Sequence, residues 1–190
     1  MRAVGAAVLF ALIGTLVLTA VAQQQQPQPG AASNAQRQPG NAPTPQQMMG
    51  YFAGDWKLTG TQKISPSSPP APYTSTEHGE WVGTDFLEIH AVSHGPLGDI
   101  HSVRMIEYNP ANQMFTFNAY NSLGEHQVAT CNPQGTQWTW NVEQKMNGVT
   151  TNARRVLTLT SPNSYTFKTE VQNPAGAWVT VMEGTAARAQ

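Results

Sequence analysis

Residues 85–121 read DFLEIHAVSHGPLGDIHSVRMIEYNPANQMFTFNAYN, and this stretch decides the fold. Three alternating runs are separated by Gly95-Pro96-Leu97-Gly98 and by Asn109-Pro110-Ala111-Asn112. Proline presets φ at the first corner of a tight turn and glycine or asparagine accepts a positive φ further on, so each tetrapeptide reverses the chain. Side chains directly opposite each other in a hairpin share a face. With Gly95 to Gly98 as the loop, Ser93 faces Ile100 and Ile89 faces Arg104. One face then carries Leu87, Ile89, Ala91, Ile100, Arg104, Ile106 and Tyr108, continued by Phe115, Phe117 and Ala119 across the second turn. The other face carries Glu88, His90, His94, His101, Glu107, Thr116 and Asn118. An antiparallel sheet with one dry and one wet face is the direct reading, and the apolar face is its interior.

The same punctuation recurs after this stretch, at Asn121-Ser122-Leu123-Gly124, Asn132-Pro133-Gln134-Gly135, Asn147-Gly148, Ser161-Pro162-Asn163 and Asn173-Pro174-Ala175-Gly176. It predicts strands near 55–64, 74–82, 85–94, 99–108, 113–120, 125–131, 136–146, 149–160, 164–172 and 177–186, with a helical turn over 48–52 ahead of the first. No long helical period interrupts the series. Strands joined by tight hairpins lie beside their sequence neighbours, so the fold class is all-β, an antiparallel up-and-down meander of about ten strands. Closing the meander into a barrel removes the exposed edges that invite aggregation, which places a barrel ahead of a two-sheet sandwich. Following the Asn147-Gly148 hairpin puts Met146 opposite Val149. Trp138, Trp140 and Val142 then share the inner face with Ala153, Arg155, Leu157 and Leu159, and further on with Tyr165, Phe167, Trp178 and Met182.

Before the strands the chain has a different texture. Arg2, the apolar run Val8 to Leu18 and the small-x-small triplet Ala20-Val21-Ala22 have the three parts of an export signal, with cleavage expected before Gln23. The apolar run is short for the roughly 20 residues that span a bilayer, which sets a retained anchor second to a cleaved signal. Residues 23–47, rich in Gln, Pro, Ala, Asn and Gly, cannot bury enough surface to offset their ordering entropy and read as a disordered leader. The barrel domain is expected over 48–190. Ten Lys and Arg against eleven Asp and Glu leave no field that would draw the chain to nucleic acid or anionic lipid. The expected address is exported, periplasmic or extracellular. The single cysteine, Cys131, can form no internal disulfide, so the fold must rest on its hydrophobic core, with Cys131 a small buried residue within it. No cysteine follows the cleavage site to carry a lipid.

Two segments frame the domain. Gly54-Asp55-Trp56 opens the first strand and Arg188 stands just after the last. With Phe52-Ala53 before the first motif, His101 to Asn109, Tyr120 to Gly124 and Gly135 to Thr139, these residues resemble the domain of unknown function 1579 family of exported, lipocalin-like (calycin-type) barrels. The resemblance spans most of residues 50–188. It implies a fold and an address rather than a reaction, and it implies a structural contact in which Arg188 lies over Trp56 at one end of the barrel.

Arg104 and Arg155 fall on an otherwise apolar face. A buried guanidinium needs an acidic mate, a wet cavity or an anionic ligand, unless a bulge turns it outward. The leading expectation is therefore a non-enzymatic exported carrier. Its barrel would hold a small amphipathic or anionic ligand against Phe115, Phe117, Trp138, Trp140, Tyr165 and Phe167, with Arg104 and Arg155 meeting the acidic end. An enzyme is the second class, with His78 and Glu80 as an acid–base pair at the barrel mouth. A solid-core barrel acting as an envelope interaction domain is the third. No cofactor is expected. His90, His94 and His101 share an outward face and need no metal to explain them, and haem ligation by a histidine inside the barrel would fall to His126. Neither Gly-x-Ser-x-Gly, His-Glu-x-x-His nor a phosphate-binding glycine loop is present.

Overall fold

The computed structural model describes the backbone of residues 42–146, 149–173 and 175–189, and their side chains except at 144–146 and 149–151. The residues expected to form an export signal and most of the expected leader, up to residue 41, and the Asn147-Gly148 turn lie outside the described residues. A short helix, α1 (Pro45–Gly50), precedes ten strands: β1 (Gly54–Gln62), β2 (Ala71–Val82), β3 (Phe86–Gly95), β4 (Gly98–Asn109), β5 (Met114–Asn121), β6 (His126–Cys131), β7 (Gln137–Met146), β8 (Val149–Ser161), β9 (Ser164–Gln172) and β10 (Trp178–Arg188). Each strand pairs antiparallel with the next, and β1 pairs with β10 to close the barrel. The sandwich alternative is therefore not formed.

The helix starts earlier than the sequence suggests, taking the last residues assigned to the leader. Its cause is a capping box. The Thr44 hydroxyl accepts the Gln47 amide at 3.2 Å while the Gln47 side-chain carbonyl accepts the Thr44 amide at 2.9 Å, and Pro45 fits the first helical position.

The hairpin registers follow the turns. Ser93 pairs with Ile100, Ile89 with Arg104 and Met146 with Val149. Arg104 and Arg155 consequently face inward, with no bulge between them and their turns. A bulge does occur in β10, where the pairing slips between Thr180 and Met182. One extra residue there reverses the alternation. Trp178, expected inside, stands outside instead, with the Arg154 guanidinium 4.5 Å from its ring.

Reading each inner face from the α1 end toward the opposite rim shows why the two ends differ. Side chains shrink along β3 (Leu87, Ile89, Ala91, Ser93, Gly95), along β5 (Phe115, Phe117, Ala119) and along β7 (Trp138, Trp140, Val142). They shrink also along β1, from Trp56 and Leu58 to Gly60. At the α1 end Met49 and Phe52 enter the barrel, and Phe52 meets Trp138 edge to face with ring centroids 5.1 Å apart. Phe115 and Tyr165 complete this layer, 4.9 Å from Trp138 and 5.1 Å from Trp56 respectively. Gly79 lets the chain cross beneath the barrel: a Cβ there would lie 2.5 Å from the Phe52 carbonyl oxygen.

Arg188 closes the same end. Its Cα partner is Trp56, over whose ring the guanidinium sits at 4.5 Å, as the resemblance implied. It also donates to the Tyr51 and Ala53 carbonyls at 2.8 and 2.7 Å, tying the segment after α1 to the last strand.

Candidate functional site

Above the aromatic layer the barrel is hollow. A cavity of about 860 Å³ opens among the small inner side chains, from the Arg104 and Arg155 level up to the β1–β2, β3–β4 and β5–β6 loops. Below it a second space of about 20 Å³, room for a single water, is enclosed by Phe52, Ile89, Ile106, Trp140, Leu157 and Tyr165. Four residues, Glu77, Arg104, Phe117 and Arg155, border both spaces and form the floor of the large one. A volume near 860 Å³ lies within the range of small-molecule sites, and the solid-core expectation is not met.

The floor is polar by design of the alternation. Glu77 follows Tyr73 and Ser75 on the inner face of β2 and is only 7% exposed. Its Oε1 lies 3.4 Å from Nη2 of Arg104, which is therefore the inward arginine with an acidic mate. Arg155 has no such mate among the described residues. Its Nε is buried without a hydrogen-bond partner, and the guanidinium rests 5.7 Å from the Phe167 ring. Beneath them the Tyr165 phenol is pushed well above its ordinary pKa, first by burial and then by the Glu77 charge, so it stays protonated.

The walls differ. On the β2–β3 side the Tyr73 and Ser93 hydroxyls are 3.1 Å apart, and Ser93 donates to Ser75 at 3.0 Å. Ser75 passes the chain on to the Val92 carbonyl at 3.2 Å. Across the barrel, above Arg155, the wall is Val142, Ala153 and Val171. Ile64, Leu97 and Leu123 stand exposed at the rim.

The sequence-derived site divides accordingly. Arg104, Arg155, Phe117, Trp140 and Tyr165 come together at or just under the floor. Phe115 and Trp138 do not line either space; they are 3% and 1% exposed in the packed layer, because Phe52 fills the room beside them. Phe167 backs Arg155 rather than the cavity. His78 and Glu80 are a correction: both point outward from β2, and neither borders a concave opening. His78 Nδ1 is 2.7 Å from Asp55, and that hydrogen bond raises the imidazole pKa. His126 is a correction of the same kind. It lies on the outer face of β6, stacked on Tyr120 at 4.6 Å, and not inside the barrel. His90 and His94 engage Glu88 and Asp99, each at 2.7 Å, on the outward face expected for them. Cys131 is buried, and burial raises its thiol to about 12, so it is inert as a nucleophile.

Glu77 was missed from the sequence. It sits beside His78 and Glu80, and the three read as one cluster until the period-two alternation separates Glu77 and Gly79 from their neighbours.

The model of a family described as a protein of unknown function, DUF1579, matches residues 42–188. No curated protein matches the chain in sequence. Among solved structures, Rv2717c from M. tuberculosis is similar with a TM-score of 0.60 at 10% identity, over 77% of this chain and 99% of that one. The S-type phycobiliprotein lyase CPES from Guillardia theta is similar with a TM-score of 0.51 at 10% identity, over 76% of this chain and 92% of that one. At such identities the likeness is one of fold.

Proposed function

The chain belongs to the DUF1579 family of proteins of unknown function, and from its site we propose that it is a non-enzymatic carrier that holds a small amphipathic or anionic molecule inside its barrel. The observation that carries this reading is the hollow end: a large cavity with a charged floor and walls of small side chains, in a barrel whose other end is fully packed. A protein that needed only a stable barrel would gain by filling this space, since unfilled volume forfeits packing. The acid–base reading has lost its residues, because His78 and Glu80 face solvent on the wrong side of the sheet. Calorimetric titration with a panel of short amphiphiles, together with native mass spectrometry of protein from its source, tests the proposal. A bound small molecule or a saturable heat supports it, and a barrel that takes none of the panel and carries nothing from its source refutes it.

We propose further that the carrier works outside the cytoplasm, a reading supported by the signal-like residues Met1 to Ala22. Amino-terminal sequencing of the protein as made by its cell is expected to begin at Gln23. A mature chain that still begins at Met1 overturns the placement.

A further inference from the structure

The charges at the cavity floor are unequal in their engagement, and that inequality narrows the ligand. Arg104 and Arg155 each carry one positive charge, because a guanidinium does not deprotonate in proteins. Glu77, held at 3.4 Å from Arg104, offsets one of them. The remainder is one charge on Arg155, whose Nε has no acceptor among the described residues. A half-buried cation left in this state is costly and is relieved by an anion, and the planar guanidinium fork matches a carboxylate in two parallel hydrogen bonds.

The walls add direction. Arg155 stands on β8 directly below Ala153, with Val142 and Val171 on the flanking strands. A chain rising from a head group on Arg155 therefore runs along apolar surface. The hydroxyl ladder of Tyr73, Ser93 and Ser75 stands on the opposite wall, above Glu77. Glu77 itself repels a second negative charge.

We propose that the cavity selects a singly charged amphiphilic carboxylate, seated head-down on Arg155 with its aliphatic part along the Val142–Ala153–Val171 wall, and that Glu77 excludes doubly charged head groups by occupying Arg104. This rests on the carrier reading and adds to it the number of charges, the head-group chemistry and the orientation.

The test compares three probes sharing one ten-carbon chain, decanoate, decanol and decyl phosphate, in calorimetric titrations of the wild type, Arg155→Met and Glu77→Gln. Wild-type protein is expected to bind decanoate about 10- to 30-fold more tightly than decanol and more tightly than decyl phosphate, the scale of a desolvated charge pair. In Arg155→Met the decanoate-to-decanol ratio collapses toward one. In Glu77→Gln the preference for decyl phosphate over decanoate rises about tenfold, because Arg104 is released. The wild-type ratios require no variant to fold, so they stand if either substitution destabilises the barrel. Equal binding of decanoate and decanol, or tighter binding of decyl phosphate by the wild type, overturns this inference while leaving the carrier reading intact. Failure of all three probes overturns this inference too, and the carrier reading falls with it only if native mass spectrometry finds no molecule carried from the source.

Discussion

The two ends of this barrel are built from the same ten strands and the same alternation, yet one is a core and the other a container. At the α1 end the inward positions are Trp56, Phe115, Trp138 and Tyr165, and Met49 and Phe52 fill what remains. At the opposite end, four or more residues away along the strands, the inward positions are Ala91, Ser93, Ala119, Val142 and Ala153. Backbone geometry sets the width of a ten-stranded barrel, so side-chain volume alone decides whether that width is filled. Packing is concentrated in one end, and the proposed binding belongs to the other.

The sharpest way to break this comparison is to make one substitution at each end. Trp138→Ala removes a side chain from the packed layer and is expected to cost about 3–5 kcal/mol in urea denaturation. Ala153→Phe adds a ring to the container and is expected to leave stability within about 1 kcal/mol of the wild type, because there is space for it. Similar costs at both positions would show that the ends are not different in kind.

The arginines give the next contrast. Arg188, satisfied by two carbonyls and the Trp56 ring, stabilises the closed end, and Arg188→Ala should lower stability by about 2–3 kcal/mol. Arg155 is half-buried and without an acidic mate among the described residues, so Arg155→Met should leave the urea midpoint unchanged or raise stability by about 1 kcal/mol. That a residue proposed to bind works against stability is a common exchange at functional sites.

Two glycines make a smaller contrast. A methyl group on Gly79 meets the Phe52 carbonyl at 2.5 Å, backbone against backbone, and Gly79→Ala should cost about 1–3 kcal/mol. A methyl on Gly95, at the hollow end, meets the tip of the Gln62 side chain at 2.8 Å, which can swing away. Gly95→Ala should stay within about 0.5 kcal/mol of wild type in the same denaturation series.

The smallest effect lies on the outer face. Arg154 donates to Glu170 at 2.5 Å and lowers its pKa, and Lys168 adds to this from 3.0 Å. A carboxylate depressed in the folded state contributes stability that is present above its unfolded pKa, near 4.5, and is lost as the pH falls through the lower folded value. Urea midpoints measured from pH 6 downward should therefore fall less steeply in Glu170→Gln than in the wild type.

Much of this was legible in the sequence, and the physical reasons for the rest are specific. Turns built on Pro, Asn and Gly set the β3–β4 and β7–β8 registers, and with them the inward direction of Arg104 and Arg155. The β10 bulge was not legible, since the residues around Val181 carry no turn signal, and it alone moved Trp178 outside. Phe115 and Trp138 were read as pocket lining because they are aromatic and inward, but inward aromatic side chains fill a barrel as readily as they line it. Which of them does so depends on α1 and the turn after it, whose plugging residues Met49 and Phe52 lie outside the alternating pattern. The taper in side-chain size along β3, β5 and β7 was present in the sequence and marks the hollow end directly. It becomes visible only when all the inner faces are aligned by their shared end.

The central claim is that binding belongs to the hollow end, and one measurement reaches it most directly: calorimetric titration of decanoate into the wild type and into Ala153→Phe. The wild type should give a saturable one-to-one heat, and the variant, equally folded by its urea midpoint, should give none. Equal heats from both proteins, or none from the wild type, would contradict it.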